Sequence, residues 1–315
     1  MIKKFLIPIV TLSALLGAFA APVNTDKPLT TFFVASDTHH DYADLGMTLK
    51  DMLNVDPKYK AVVFNGDITN QGREKQYSDF LATLQANPHP DKVFLNIGNH
   101  ELYGGDSEEA MFARYKKLTK EDKIYYEREV GGFPLIFLGT EKFLDSGNGV
   151  WLSPEQLNWL RDRLKIHGRT GKPIFTFLHI PLPKTTSGSQ VPVYETLYKQ
   201  QKELLDILGQ YPQAILFTSH THYGLQLSDW QVRKVIPGGN SKGFQIINTG
   251  GILDEWNADS NGNEYLVPGS IKEARSLYLE LYANRVVITG RDHYRKKWIQ
   301  KLEIPYGNAV SDETV

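Results

Sequence analysis

An α/β fold with a largely parallel or mixed sheet is predicted by two features of this 315-residue sequence. Strand-like and helix-like segments alternate from about residue 29 to residue 219, which is typical of β-α-β units. Five apolar, β-forming runs also end directly in clusters of Asp, Asn or His, and these runs are 31–35, 61–64, 93–97, 174–178 and 214–218. Such runs indicate buried strands, and open α/β sheets carry their sites at the carboxyl ends of strands. The sequence therefore predicts a polar cleft at one edge of the sheet.

Five helices are expected between and after these strands. In the second of them, Tyr77, Phe80 and Leu84 recur at helical spacing and would bury one face. Ahead of the fourth, Ser153 has the position of an N-cap and is followed by Pro154 in the first turn. The predicted helices cover residues 44–55, 74–85, 107–118, 154–164 and 193–208.

The last third of the sequence has a different pattern, with strands and no long helix between them. Its strand-like segments are 225–236, 243–249, 276–283 and 285–289, and the last two would be joined by a tight turn at Asn284 and Arg285. No Pro-rich linker or break in composition separates these strands from the rest. We therefore expect a single domain over 21–315, in which the strands from about 225 to 305 complete a second sheet stacked on the first.

The first twenty residues have the pattern of a signal peptide for export. Lys3 and Lys4 precede a mostly apolar stretch, 5–16, and Ala18 and Ala20 form a small-x-small cleavage site. An uncleaved membrane anchor is the alternative, but a permanent span needs about 20 apolar residues and this run is shorter. We expect cleavage after Ala20, a secreted or periplasmic protein, and no stable membrane span in the mature chain.

Charge and cysteine content exclude several classes of function. The 35 basic and 36 acidic residues give a net charge of −1, so there is no basic field for a nucleic acid duplex or a lipid surface. The sequence has no cysteine, which rules out disulfides, a lipid-modified cysteine, thiolate ligands and a Cys nucleophile. With 41% hydrophobic residues, the chain can bury the core of a globular protein.

Side chains of the metal-ligand type follow all five strand ends. In chain order they are Asp37 and His39, then Asp67, then Asn99, His100 and Glu101, then His179, and finally His220 and His222. Taken singly, each motif also fits an exposed loop, an ordinary turn or a pair of half-buried histidines. Together, carboxylates, an amide and imidazoles without sulfur form a ligand set that suits divalent metals.

The order and spacing of these motifs resemble the calcineurin-like metallophosphoesterase superfamily. Members of that superfamily carry D-x-H, G-D-x-x-x-x-G, G-N-H-[ED], a lone His and G-H-x-H. The corresponding stretches of this chain are 37–39, 66–72, 98–101, His179 and 219–222. The resemblance covers about residues 29–249, and it implies a four-layer αββα sandwich of two mixed β-sheets flanked by helices.

The resemblance also implies a centre of two divalent metal ions, for which Mn, Fe and Zn are all compatible with nitrogen and oxygen ligands. By position, the first ion would be held by Asp37, His39 and His222, the second by Asn99, His179 and His220, and both by Asp67. A hydroxide bound between the ions would attack the phosphorus of a small phosphate ester. His100 would be the catalytic residue that protonates the leaving group or stabilises the phosphate, and Glu101 would orient His100 or tune its pKa.

Four positions depart from what is usual in the superfamily. Ser36 and Ser219 stand where Gly is usual. Asn70 stands where purple acid phosphatases carry a Tyr and serine/threonine protein phosphatases carry an Asp. Asn70 therefore argues against both groups and favours a resemblance to bacterial phosphodiesterases of the cyclic-nucleotide type. His40 also differs from the residue that many relatives carry there. It is either an exposed loop residue or a histidine that faces the substrate.

The function implied is that of an exported metallophosphoesterase, with phosphodiesters slightly favoured over phosphomonoesters. The alternative is a catalytically silent protein that keeps the metals and binds phosphate or a nucleotide, but the complete ligand set argues against it. The loop 181–192 follows His179 directly and is expected to overhang the metals. Tyr103 and Trp256 either stack on a substrate base or merely pack their loops.

Overall fold

The computed structural model describes residues 26–144, 149–194, 198–269 and 273–307. The signal peptide predicted for residues 1–20 lies outside these ranges, so export stays a prediction. Within the described ranges, no helix combines the length and the apolar character that crossing a membrane requires.

The strands and helices alternate much as the sequence predicts. In chain order they are β1 (Thr30–Ala35), α1 (Tyr42–Val55), β2 (Ala61–Asn65), α2 (Glu74–Ala86), β3 (Lys92–Asn96), α3 (Glu108–Thr119), β4 (Tyr126–Val130), β5 (Phe133–Phe137), α4 (Pro154–Gly168), β6 (Ile174–Phe177), α5 (Gln201–Leu208), β7 (Ala214–Thr218), β8 (Gln231–Lys234), β9 (Phe244–Asn248), β10 (Trp256–Ala258), β11 (Glu264–Leu266), β12 (Arg275–Leu281), β13 (Arg285–Asp292) and β14 (Lys297–Pro305). Short 3₁₀ helices cover His100–Leu102 and Pro192–Tyr194.

The start of α4 has the predicted capping arrangement. Ser153 Oγ accepts a hydrogen bond of 3.0 Å from the backbone N–H of Gln156, and Pro154 occupies the first turn. A proline costs nothing there, because that N–H has no partner within the helix. The inward face of α4 buries Leu157, Leu160 and Leu164, as its spacing predicts.

Two mixed six-stranded sheets lie at the centre of the fold. The first has the strand order β14-β13-β12-β1-β2-β3 and the second the order β4-β5-β6-β7-β9-β8. Their facing sides share one aromatic core, in which Phe32 of the first sheet meets Phe175 of the second edge to face at 5.4 Å. Helices α1 and α2 cover the outer side of the first sheet, and α4 and α5 cover that of the second. These layers confirm the four-layer αββα sandwich.

The prediction for the C-terminal strands is wrong in part. Only β8 and β9 join the second sheet, whereas β12, β13 and β14 extend the first, and β10 with β11 forms a separate hairpin. The reason is the second edge of β1. This strand pairs with β2 on one side, and without a partner on the other side its buried backbone groups would be unpaired. Strand β12 satisfies them by running antiparallel to β1, from Thr30 opposite Leu281 to Val34 opposite Leu277. The single domain over 21–315 stays a prediction.

Two predicted elements are shorter than expected. The predicted helix 193–208 contains α5 alone as α-helix, because Tyr198 instead forms a bridge to Val150 and donates its hydroxyl to the carbonyl of Ile180. The predicted strand 225–236 is reduced to β8, because residues 224–230 close successive turns that bury Trp230.

A buried polar cluster ties α1 to the end of the first sheet. Both carboxylate oxygens of Asp51 accept from the guanidinium of Arg291, at 2.8 and 3.0 Å, and one also accepts from His293 Nδ1 at 2.9 Å. Because Nδ1 donates, His293 Nε2 accepts from Ser276 Oγ at 2.6 Å. This Ser–His–Asp series is not a catalytic triad, since Ser276 and His293 are fully buried and no substrate could reach them. The cluster is a structural clamp.

We expect Asp51→Asn to lower the free energy of unfolding by about 3–5 kcal/mol, because it leaves the buried charge of Arg291 without its partner. Burial alone would raise the pKa of Asp51, but hydrogen bonds and charge from His293 and Arg291 hold it below its usual range. The stabilisation is therefore complete above about pH 4 and is lost as the pH falls further. Urea unfolding should show that the difference in the free energy of unfolding between wild type and Asp51→Asn is smaller at pH 3 than at pH 7.

The same substitution in an exposed ion pair provides the control. Asp79 pairs with Lys75 on the surface of α2 at 2.7 Å. We expect Asp79→Asn to change the unfolding midpoint little at either pH, since exposed pairs contribute little to stability. Equal losses in both variants would contradict the structural role of the buried cluster.

Candidate metal centre

The predicted ligands meet where the two sheets present the carboxyl ends of their parallel strands. β1, β2 and β3 lead to Asp37, Asp67 and Asn99, and β6 and β7 lead to His179 and His220. Within the described ranges, ligand-capable atoms lie within 4.8 Å of one another in three groups, which are Asp37 with His39 and His222, Asp67 with His179 and His220, and His39 with Asp67 and His100. The structure thus brings residues separated by up to 185 positions (37 to 222) into one cleft.

The backbone at these residues adopts an unusual conformation. Five of them have positive φ angles, namely Asp37 (54°), His39 (46°), Asp67 (52°), His220 (72°) and His222 (55°). Non-glycine residues rarely adopt this region, and it costs on the order of 1–3 kcal/mol per residue unless the surroundings enforce it. The sharp turns aim neighbouring side chains into one cleft, and backbone hydrogen bonds between the loops, such as His39 N–H to the Asp67 carbonyl at 2.9 Å, hold them in place.

Two glycines of the motifs make room for the ligands. A Cβ atom at Gly98 would lie 2.1 Å from Asp67 Oδ1, and one at Gly66 would lie 2.4 Å from His179 Nδ1. Both distances are shorter than any ordinary van der Waals contact. Any other residue at either position would therefore push a candidate ligand out of place.

The first group is arranged around Asp37. His222 Nε2 lies 3.2 Å from Asp37 Oδ1 and 3.1 Å from His39 Nε2. His222 Nδ1 donates to the carbonyl of Leu253 at 2.7 Å, which fixes the tautomer and leaves Nε2 as the atom that can bind a metal. Two imidazole nitrogens and a carboxylate oxygen thus converge on one point.

The second group is arranged around Asp67, which also reaches the first. Asp67 Oδ2 lies 3.1 Å from His179 Nε2 and 3.9 Å from His39 Nε2. His179 Nδ1 donates to the carbonyl of Asn65 at 2.7 Å, so its Nε2 is the atom left for a metal. Asn99 belongs to this side of the cleft, where its amide nitrogen donates to Tyr103 Oη at 2.8 Å. Asp67 therefore occupies the position between the two groups.

These residues fit divalent cations by their chemistry. Among the described residues, His220 Nε2 is buried and makes no hydrogen bond, which a cation would compensate. Burial lowers the pKa of His39 and of His220 to about 3, so both imidazoles are neutral at pH 7, the form that binds metals. Burial would also lower the pKa of His179, but the carboxylates of Asp67 and Asp37 raise it to about 9. The cleft thus attracts positive charge.

His100 lies beside the two groups and is partly exposed. Its Nδ1 donates to the carbonyl of Asn70 at 2.9 Å, and its backbone N–H donates to Asp67 Oδ1 at 2.9 Å. The ring contacts those of His39 and Tyr103, at centroid distances of 4.4 and 4.5 Å. His100 Nε2 is therefore the nitrogen available to a substrate.

Glu101 has a different place from the predicted one. Its buried carboxylate accepts hydrogen bonds of 2.8–3.1 Å from the backbone N–H groups of Asp67, Thr69 and Gly98 and from the Thr69 hydroxyl. A carboxylate saturated by these donors holds the loops that carry Asp67 and Asn99, and it has no hydrogen bond to His100. The carboxylate of Glu101 is therefore placed to hold these loops rather than the His100 ring, and its catalytic role stays a prediction.

His40 and the loop 181–192 differ in their exposure to solvent. His40 is exposed to solvent. The loop 181–192 is largely buried, since Thr221 Oγ1 donates to the Ser187 carbonyl at 3.1 Å and Ser187 Oγ donates to Asp229 at 2.8 Å. This loop packs against the turn that carries His220 and His222, and its position above the metals stays a prediction.

The two serines that replace glycine join the sheets beneath the cleft. Ser36 Oγ and Ser219 Oγ both contact Thr249 Oγ1, at 2.8 and 2.7 Å. Ser219 Oγ also accepts from Asn65 Nδ2 at 2.7 Å, and the Asn65 carbonyl holds His179. Asn65 and Thr249 were not predicted from the sequence, because neither belongs to a recognisable motif. The serines thus add a buried hydrogen-bond network that supports the candidate ligands.

We expect Ser219→Ala to weaken metal binding about 10-fold and to lower the free energy of unfolding by about 1–3 kcal/mol. The substitution removes the acceptor of a buried amide, and Asn65 then holds His179 less firmly. Metal affinity from competition with a chelator and unfolding in urea measure the two effects. Ser78→Ala on the exposed face of α2 is the matched control. Unchanged metal affinity in Ser219→Ala would mean that the network has no influence on the centre.

Comparisons with known proteins agree with this fold and cleft. Residues 30–224 match the family described as calcineurin-like phosphoesterase, and residues 225–312 match a family described as a domain of unknown function, DUF4073. A probable glycerophosphodiester phosphodiesterase, GpdQ, from Arcobacter nitrofigilis is 27% identical over 170 residues, which are 54% of this chain and 59% of that protein.

Two solved structures share the fold at low identity. A dimetal phosphatase from Danio rerio superposes with a TM-score of 0.59 at 15% identity, over 89% of this chain and 100% of that one. Purple acid phosphatase PPD1 from yellow lupin gives a TM-score of 0.62 at 14% identity, over 88% and 53% of the two chains. Because the family match covers more than half of the sequence, the chain belongs to the calcineurin-like phosphoesterases, a family of metal-dependent phosphoester hydrolases.

Proposed function

We propose that this protein is an exported, dinuclear metallophosphoesterase that hydrolyses a small phosphodiester or phosphomonoester. The observation that carries the proposal is the position of Asp67 between two ligand groups, with His100 beside them. The first ion would be held by Asp37, His39 and His222, the second by Asn99, His179 and His220, and both by Asp67. When bound, two divalent ions would generate hydroxide at neutral pH and neutralise the charge on the phosphate.

His100 supplies the proton that the reaction needs. Because Nδ1 is held by the Asn70 carbonyl, the imidazolium donates from Nε2 to the oxygen of the leaving group as its bond to phosphorus breaks. The leaving group departs as a neutral alcohol, and His100 is left neutral. Glu101 and the serine network keep Asp67 and His179 in place during this step.

A phosphodiester is the favoured substrate within this proposal. The support is the similarity to a protein named as a probable glycerophosphodiester phosphodiesterase, which covers 59% of that protein. The side chain at position 70 gives further support, since Asn70 departs from the Tyr of purple acid phosphatases and the Asp of protein phosphatases. The metal would be Mn, Fe or Zn, all of which accept nitrogen and oxygen ligands.

The test compares hydrolysis of bis(p-nitrophenyl) phosphate with that of p-nitrophenyl phosphate. The protein is used from residue 21 onward and is loaded with Mn or Zn. We expect turnover of both esters, with a higher kcat/KM for the diester. A higher value for the monoester would overturn the diester preference. Two bound metals without turnover of either ester, together with tight binding of phosphate or a nucleotide, would favour the silent binding protein instead.

Export has its own test. We expect the protein expressed with its first twenty residues to appear outside the cytoplasm with a new N-terminus at Ala21, which mass spectrometry would identify. A full-length chain in the membrane fraction would favour the uncleaved anchor.

A further inference from the structure

A series of aromatic rings leads from the candidate metal centre to the protein surface. The ring of His100 contacts that of Tyr103 at 4.5 Å, and Tyr103 contacts Phe143 edge to face at 6.4 Å. Phe143 is 37% exposed, although it is a large apolar side chain beside a polar cleft. We call Tyr103 and Phe143 the aromatic wall.

Both residues of the aromatic wall are held in place. Tyr103 Oη accepts from the amide of Asn99 at 2.8 Å, which fixes the ring relative to a candidate ligand. The backbone N–H of Phe143 donates to Glu108 Oε2 at 2.8 Å, and the carbonyl of the preceding Lys142 accepts from Thr140 Oγ1 at 2.8 Å. The ring of Phe143 is therefore presented to solvent from a fixed backbone.

The aromatic wall adjoins the residue that defines the leaving-group side of the cleft. In the proposed function, on which this inference rests, His100 Nε2 donates to the leaving-group oxygen. Whatever is attached to that oxygen therefore lies next to His100, whose ring contacts Tyr103 of the wall. Aromatic faces stack well on planar rings and gain little from a small, flexible polar group such as glycerol or ethanolamine.

We propose that the site takes phosphodiesters whose leaving group carries a planar aromatic ring, which stacks on Phe143 and contacts the perpendicular ring of Tyr103 edge to face. Phe143 is the residue that determines this specificity, because Tyr103 also positions Asn99. An aryl alcohol and a nucleoside could both supply such a ring. The experiment uses both sources, with an aliphatic diester as the third substrate.

The first experiment measures kcat/KM of Phe143→Ala relative to wild type for three diesters. They are bis(p-nitrophenyl) phosphate, a dithymidine monophosphate and glycerophosphoethanolamine. Intrinsic differences between leaving groups cancel in each ratio of variant to wild type. We expect a loss of about 10-fold for either or both aromatic diesters, and less than 2-fold for the aliphatic one. Equal ratios for all three diesters, or a larger loss for the aliphatic one, would overturn the proposal.

Equilibrium binding tests the aromatic wall without turnover. Calorimetric titration of metal-loaded protein with phenylphosphonate and methylphosphonate should give about 10-fold tighter binding of the phenyl compound to wild type. Phe143→Ala should lose this preference, Phe143→Tyr should keep it, and Tyr294→Ala, at an exposed ring in the turn between β13 and β14, should not affect it. If the wild-type protein prefers phenylphosphonate but has no turnover, only the proposed function is contradicted. If wild type binds phenylphosphonate and methylphosphonate with equal affinity, the proposed role of the aromatic wall is wrong.

Discussion

Asp67→Ala is expected to lose metal from both halves of the centre and to have no measurable turnover. Asp67 reaches both groups, with Oδ2 3.1 Å from His179 Nε2 and 3.9 Å from His39 Nε2. Two divalent ions about 4 Å apart repel each other by roughly 16 kcal/mol at an effective dielectric constant of about 20. A negative charge between them is therefore required for both to bind at once.

Asp67→Asn separates the charge of this side chain from its shape. The amide oxygen can still accept from the backbone N–H of His100, which now donates to Asp67 Oδ1 at 2.9 Å, so the loop should keep its conformation. We expect this variant to bind at most one ion per chain by elemental analysis after dialysis, and to lack activity. Asp79→Asn is the control. Two retained ions with full activity in either Asp67 variant would refute the bridging role.

The cleft that gathers the candidate ligands could be located from the sequence because the signal for each ligand is local. Each candidate ligand follows a strand within five residues, so the end of an apolar run is enough to locate it. Because the strands are parallel, their carboxyl ends lie at the same edge of the sheet, and no further sequence signal is needed to bring the ligands together. Helix α4 was predictable for the same reason, since Ser153 and Pro154 act on the turn that follows them.

What could not be predicted depends on pairing between distant segments. Strand β12 pairs with β1, although about 240 residues separate them, and nothing in its own alternation specifies that partner. The backbone N–H groups of Ile252 and Leu253 donate to the carbonyls of Ser36 and Asp37 at 3.1 and 2.9 Å, and the Leu253 carbonyl holds His222. Backbone contacts carry no side-chain signature, so no motif marks them.

Glu101 illustrates the same limit within a motif. Adjacency to His100 suggested that the two side chains act together, but the 3₁₀ turn at His100–Leu102 directs them to different partners. His100 Nδ1 meets the Asn70 carbonyl, whereas Glu101 meets the N–H groups of Asp67, Thr69 and Gly98. A sequence fixes which residues are neighbours along the chain, but the turn geometry decides which way each one faces.

His100→Ala is expected to lower kcat by about 10² to 10⁴ while both metals stay bound. The backbone N–H of residue 100 still donates to Asp67 Oδ1 after the substitution, so the bridging carboxylate should keep its place. In the proposed function, the lost imidazole is the proton donor for the leaving group. Its removal should therefore matter least when the leaving group is p-nitrophenolate, which departs readily without a proton, and most when it is an alkoxide.

The dependence on leaving group separates two roles for His100. We expect the deficit for a dialkyl phosphate such as glycerophosphoethanolamine to exceed that for bis(p-nitrophenyl) phosphate by at least about 10-fold, because only the alkoxide needs protonation. His40→Ala, at an exposed histidine next to the first motif, should change neither rate. If the two substrates lose activity equally and one metal is missing, His100 is a metal ligand instead. Its grouping with His39 and Asp67 would permit that role. The ratio of the two deficits, read together with the metal content, thus tells a proton donor from a ligand.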